Sequence, residues 1–378
     1  MIKYLGSKRL LLGQILRTVH ALGPSTRTVL DLFSGTSRVG HALKAKGYRV
    51  LSSDNAAYAA TLARCYVQAE RAAHAVRAQA IIDDLNALPG APGYFTETFC
   101  VRSRFFRPEN GARIDAIREH IAAARFEPEL ESILLVTLME AADRVDSTTG
   151  VQMAYLKRWA PRALKPLTLR LPDLLDRAPD TDPCRAHHLD ALDAASLGAD
   201  AAYIDPPYNQ HSYLGNYHVW ESLVRWDKPE TYGIACKRTD TRERRSPFNS
   251  RRACAEALGA VIARVRAPNL ILSFNNEGFL SLADLHELLM AQRGVPRTHL
   301  TTLAFDFKRY VGAQIGIYNP RGNKVGTVGA LRNVEHIIVA TAERPGRALR
   351  ELARQFAGPV VHNPVAHLHP EHLQAIAG

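Results

Sequence analysis

The chain has 378 residues, 46% of them hydrophobic and 22% charged, enough for a sizeable core in one elaborated domain or two. No apolar run approaches the roughly 20 residues that cross a bilayer, the start interleaves Lys3, Lys8 and Arg9 with apolar residues unlike a signal peptide, and five scattered cysteines without a CxxC pair argue against a zinc ribbon or disulfide framework and for a reducing, bacterial-type cytoplasm. A formal charge of +11 suits a polyanionic partner, nucleic acid being the commonest, although an arginine-rich proteome gives the same balance.

Residues 10–22 carry apolar side chains at helical spacing (Leu11, Leu12, Ile15, Leu16, Val19) and stop at Gly23-Pro24. Residues 28–33 read as a buried strand, 34–37 as a tight turn, 38–46 as a helix capped by Gly47, and 48–54 as a second strand. Strand–helix–strand at this spacing is a βαβ unit and hence part of a parallel sheet. Residues 56–82 are alanine-rich and helical. Residues 84–184 change character: helices at about 112–124 and 129–146, proline-rich joints at 89–92, 161–166 and 179–183, and no strand series. They read as a mostly helical insertion. Strands resume near 200–204, 269–274, 300–307 and 334–341, and residues 342–378 form a polar, loosely patterned tail.

Tyr203-Ile204-Asp205-Pro206-Pro207-Tyr208 is the most informative stretch. Two prolines must end the strand before them, because proline cannot donate to a ladder. The motif therefore lies at the carboxyl end of a strand, where open α/β sheets bind ligands. A carboxylate, a rigid turn with exposed carbonyls and a stacking ring suit the exocyclic amino group of a flat base. Asp31-Leu32-Phe33-Ser34-Gly35-Thr36-Ser37 is a small-residue turn between strand and helix, where backbone approaches a ligand closely. It is not the GxGxxG dinucleotide fingerprint. Asp54, about 20 residues on at the next strand end, has the placement of an acid that binds ribose hydroxyls. Tyr4-Leu5-Gly6-Ser7-Lys8 adds an aromatic, a kink and a cation suited to a nucleoside and a carboxylate.

A YxGxK-like start, DLFSG, an acidic second strand end and DPPY, in this order, resemble the D12 class of adenine-specific DNA methyltransferases, the class of the Dam methylase and of restriction-associated modification enzymes. The resemblance runs from residue 3 to about 341 and includes 144–161, 246–251 and 307–335. It implies a Rossmann-like α/β methyltransferase sheet, with catalytic parts at 1–83 and 185–341, a target-recognition insertion at 84–184, and S-adenosyl-L-methionine as cofactor. By that resemblance Tyr4, Gly6 and Lys8, then Asp31, Phe33, Ser34 and Gly35, then Asp54, Asp190 and Asp205 hold the cofactor, and Asp205, Pro206, Pro207 and Tyr208 carry catalysis. Ser37 departs from the pattern, standing where many members have glycine, so a positive φ is not freely open to it.

Such a protein would transfer a methyl group to N6 of an adenine flipped out of double-stranded DNA at a specific sequence, with a cognate restriction endonuclease as functional partner and no metal or membrane. Rival readings are a cytosine N4 or RNA adenine N6 methyltransferase, and a DNA-binding protein without catalysis. For DNA, the densest basic run supplies Lys237, Arg238, Arg242, Arg244 and Arg245, with Arg251 beyond, read as a mobile loop that orders on phosphates, the alternative being a solvated loop held by its own acids. Lys308 and Arg309, with residues 321–324, form another basic region. Arg102, Arg104, Arg107, Arg144, Lys157, Arg158 and Arg162 are candidates in the insertion. Tyr213, Tyr217 and Trp220 either line the base pocket or pack beneath it. The histidines at 362–372 and the pair His187-His188 are too irregular or too isolated to read as metal ligands.

Overall fold

A computed structural model describes residues 1–308, 332–356 and 360–361. Its strands in chain order are β1 (Thr28–Leu32), β2 (Arg49–Asp54), β3 (Arg185–His188), β4 (Ala201–Ile204), β5 (Thr231–Tyr232), β6 (Lys237–Arg238), β7 (Asn269–Asn275), β8 (Leu300–Lys308), β9 (Arg332–Thr341) and β10 (Val360–Val361). Eight of them form one sheet in the order β10-β8-β9-β7-β4-β1-β2-β3, and β5 and β6 make a separate small hairpin. The pairings of β1 with β2 and β4, of β2 with β3 and of β4 with β7 are parallel; β9 runs against both β7 and β8. The chain builds outward through β2 and β3, then returns to lay β4 on the other side of β1. The carboxyl ends of β1 and β4 therefore flank a topological switch point, the crevice where such sheets bind ligands.

Period-two patterning puts both faces of these strands in core. Leu30, Leu32, Ala202, Ile204, Leu270 and Leu272 pack on the side of helices Cys254–Arg264 and Leu282–Arg293. Val29, Tyr203 and Ile271 point the other way, toward helices Leu12–Ala21, Arg38–Ala45 and Arg347–Gln355. Runs buried on both faces are what a parallel sheet requires.

The insertion is helical as expected, with Arg71–Ala87, Pro108–Ala124 and Pro128–Arg144 as its long helices. It is not a separate body. The expected boundary at 83/84 falls inside Arg71–Ala87, and Phe95, Phe99, Phe106 and Leu134 share one apolar cluster with Tyr58, Leu62, Tyr66, Tyr217 and Trp220. After Arg144 the chain runs extended along this layer, held by side-chain amides: Asn86 bonds both the N–H and the carbonyl of Leu169, and Asn110 accepts the Leu167 N–H at 2.9 Å. Two elements depart from expectation. Residues 185–188 form the edge strand β3, and the polar tail begins with the helix Arg347–Gln355, which buries Leu349 and Leu352. Residues 309–331 and 362–378, with the expected basic hairpin region and the histidines, lie outside the described residues. No helix among the described residues is long and apolar enough to cross a membrane.

Candidate active site

The turn after β1 is shaped by three left-handed residues in alternation: Phe33 at φ 60°, Gly35 at φ 53° and Ser37 at φ 58°. Ser37 thus adopts the conformation that its lack of glycine argued against. Its N–H donates to the Ser34 carbonyl at 2.7 Å and its carbonyl accepts from His41 N–H at 2.8 Å, so the start of helix Arg38–Ala45 fixes it there. A left-handed non-glycine residue costs about 1–2 kcal/mol, and these two bonds offset that cost. Asp54, at the end of β2, spans the turn: Oδ2 accepts Gly35 N–H and Oδ1 accepts Ala56 N–H, each at 3.0 Å. Burial pushes its carboxyl up, and the two N–H groups oppose the shift.

The N-terminal segment crosses this turn. Lys3 anchors it to the helical layer through Asp143 and Asp146. Tyr4 stacks on Tyr217 at 4.5 Å and on Tyr213 at 5.2 Å. Gly6 sits at φ 73°, where an added Cβ would meet Tyr213 Oη at 2.7 Å. The kink brings Lys8 under the end of β4. There Lys8 Nζ lies 2.9 Å from Asp205 Oδ1 and 2.6 Å from Glu335 Oε1. Ser273 Oγ donates to the same Glu335 oxygen at 2.7 Å, and Asn275 lies 3.4 Å from the other. Burial raises the Asp205 carboxyl to about 6; Lys8 pulls it down and Glu335 pushes it up. Lys8 itself stays a cation, because two carboxylates outweigh its burial.

These groups surround a cavity of about 360 Å³, the size range of small-molecule sites. All ten residues expected to hold a cofactor line it: Tyr4, Gly6, Lys8, Asp31, Phe33, Ser34, Gly35, Asp54, Asp190 and Asp205. Asp190 is at the rim, where its carboxylate also caps a short helix by accepting Leu192 N–H at 2.9 Å. Burial raises Asp31, on the cavity wall, to about 7. The hydroxyls of Ser7 and Ser34 on that wall are buried without a partner, as expected of groups that await a ligand. Pro207 lines the cavity; Pro206 is buried behind it, and Tyr208 leans on Phe274 at 5.7 Å. Among the described residues no three His, Cys, Asp or Glu side chains gather as a metal site would need.

The geometry of a strand-end DPPY beside a ligand turn has a counterpart among known proteins. The sequence profile of the D12 class N6-adenine-specific DNA methyltransferases matches residues 4–261. The chain belongs to this class. Among relatives, Type II methyltransferase M.NlaIII of Neisseria lactamica is 32% identical over 306 residues, which cover 76% of this chain and 87% of that protein. Type II methyltransferase M.FokI of Planomicrobium okeanokoites and Modification methylase StsI of Streptococcus sanguinis are each 29% identical; this chain spans 48% and 46% of their lengths. As a D12 enzyme it is a DNA methyltransferase specific for adenine N6.

The basic run of this D12 chain follows the alternative reading rather than the leading one. It is ordered by its own acids, not a bare phosphate loop. Arg238 is 1% exposed and grips Asp227 through both terminal nitrogens at 2.7 Å, with Asp240 at 3.0 Å, so its guanidinium is spent within the fold and it leaves the set of DNA contacts. Arg244 turns inward to buried Glu221 at 2.9 Å and lines the cavity. Arg242 covers the Tyr232 ring, Arg251 that of Phe279, and Arg245 is exposed. In the insertion Arg104 and Arg107 flank Trp159, Arg162 pairs with Asp146, and Arg102 and Arg158 are exposed. Lys308 ends β8, and Arg309 lies outside the described residues. Tyr213 lines the cavity, whereas Tyr217 and Trp220 are buried beneath it. Sequence reading missed Glu335, Ser273 and Glu221 as site residues and did not place the segment 244–249 on the cavity wall. The Asn249 amide in that segment holds the carbonyls of Asn209 and His211, just past DPPY.

Proposed function

We propose that this enzyme transfers a methyl group from S-adenosyl-L-methionine to N6 of an adenine flipped out of a specific duplex sequence. Its setting would be a bacterial restriction–modification system, in the cytoplasm, with a cognate endonuclease as functional partner. One observation carries the reading: Asp205 opens into the same cavity as Asp54 and the Gly35 turn, so base and nucleoside-bearing donor would meet there. The cavity suits the donor in its volume, in a ribose acid at Asp54, and in the unpartnered Ser7 and Ser34 hydroxyls. When bound, S-adenosylmethionine supplies an electrophilic sulfonium methyl.

The chain's own part is to make a poor nucleophile adequate. The adenine N6 lone pair is delocalised into the ring. The Asp205 carboxylate and the Pro206 carbonyl would each accept one N–H, drawing the nitrogen toward tetrahedral geometry and favouring the positive charge that develops on it. Lys8, bound to Asp205 Oδ1, keeps that group ionised and aimed. Tyr208 would stack on the base, and the proline pair fixes the acceptors at little entropic cost. A base within the duplex could not reach these groups, so flipping is required. Residues 84–184 and the exposed Arg245 are the proposed DNA-reading surface, with 342–378 as an appended tail. The relatives' names, type II methyltransferases and modification methylases, support the restriction–modification setting.

The test is transfer from labelled S-adenosylmethionine to mixed genomic DNA, digested to nucleosides. N6-methyladenine is expected, with loss of label but retained DNA binding in Asp205→Ala. Label in N4-methylcytosine or only in RNA would overturn the choice of substrate, and full activity in Asp205→Ala would overturn the mechanism.

A further inference from the structure

Four cations line the cavity: Lys8, Arg38, Arg244 and Arg245. Three are engaged. Lys8 is held between Asp205 and Glu335, Arg244 by Glu221 and Asp240, and Arg245 gives its Nε–H to the Arg242 carbonyl at 3.0 Å. Arg38 is different. It opens the eight-residue helix Arg38–Ala45, is half-buried, and has a buried Nε with no hydrogen-bond partner. No carboxylate among the described residues lies within ion-pair distance of it. Burial and the neighbouring Arg9 hold its pKa down, with Tyr66 and Glu140 opposing.

A buried, unpaired guanidinium nitrogen is costly unless an anion completes it. The surroundings are built for one. Ser34, 9% exposed, lines the same cavity with an unpartnered Oγ, while the Gly40 N–H in the first turn of the helix is taken by Asp31. Asp31, Asp54, Asp190 and Asp205 line the cavity as well, so a polyphosphate would be repelled, whereas a molecule rich in hydroxyls with a single carboxylate for Arg38 suits this lining. We propose that Arg38, with the Ser34 hydroxyl, binds the carboxylate at the amino-acid end of the methyl donor. The inference rests on the donor assigned above. It gives Arg38 the carboxylate that the sequence left to Lys8, whose ammonium serves Asp205 instead.

The experiment is calorimetric titration of the full chain with S-adenosylhomocysteine and with 5′-methylthioadenosine, which keeps the nucleoside and thioether but lacks the amino acid. In Arg38→Met, affinity for S-adenosylhomocysteine should fall roughly 10- to 100-fold, the effect of a lost charge-assisted bond. Affinity for 5′-methylthioadenosine should hold, and Arg38→Lys should recover part of the loss. Equal weakening of both ligands would make Arg38 a wall support and overturn the proposal, as would no change in either. If the parent protein bound neither ligand, the donor reading would fall first, and this inference with it.

Discussion

Replacing Lys8 with methionine removes the cation 2.9 Å from Asp205 while keeping an unbranched stem. Asp205 sits at about 6 with Lys8 in place, because burial raises it and the ammonium restrains it. Its carboxylate is the acceptor that methyl transfer needs, so the rate falls as pH drops through that midpoint. Loss of an adjacent opposite charge moves such a midpoint up by roughly one to three pH units. With a rise of about two, only about a tenth of Asp205 would be ionised at pH 7, against about nine-tenths in the parent. The single-turnover rate on duplex DNA at saturating cofactor should therefore fall roughly tenfold at pH 7 and recover toward pH 9. Glu335→Gln should do the opposite, because Glu335 pushes Asp205 up: its acid limb moves down. The double variant removes one charge of each sign and keeps the comparison open if the single variant folds poorly. An acid limb that stays in place in Lys8→Met, with only weaker cofactor binding, would refute the reasoning and return Lys8 to the cofactor.

Gly6→Ala should cost about 1–2 kcal/mol in chemical denaturation and weaken cofactor binding, since φ is 73° and the new methyl would strike Tyr213 Oη; an unaffected midpoint would contradict the tight crossing. Arg238→Ala should destabilise the fold by about 2 kcal/mol, because Asp227 and Asp240 lose their buried partner although Arg225 still pairs with both, whereas Arg245→Ala should leave stability alone and reduce the salt slope of DNA binding by about one. The reverse pattern in melting and salt titration would restore Arg238 to the DNA. Asp31 is raised to about 7 in the fold, so its share of stability is lost as pH rises through that value. Asp31→Asn should therefore raise Tm more at pH 8 than at pH 5, and an equal shift at both would show that Asp31 is not so perturbed.

What the sequence made legible was local. Pro206-Pro207 had to end a strand, and the near-continuous apolar run in residues 269–274 suits a strand buried on both faces. What it hid depends on distant partners. Glu335 sits in an apolar strand and reads as a surface position; it is buried because Lys8, from the other end of the chain, neutralises it. Arg238 reads as the centre of a basic run, yet Asp227 and Asp240 fold it inward. The edge strand β3, Arg-Ala-His-His, has no apolar alternation because a neighbour covers it on one side only. The helix Arg347–Gln355 carries charges at Arg347, Arg350, Glu351 and Arg354, and its leucines Leu349 and Leu352 identify it only once the sheet face they cover is known.

The bond between Lys8 and Glu335 joins residues 327 positions apart. On a ribosome adding about 5–20 residues per second, roughly 15–65 s would separate the appearance of the two. For the last part of that interval, about 130 residues or roughly 6–26 s, a nascent chain already carrying DPPY would lack β9 and its acid. C-terminal truncations that remove β9 should therefore be silent even though DPPY and the turn after β1 remain, because β7 and β8 lose the strand that joins them.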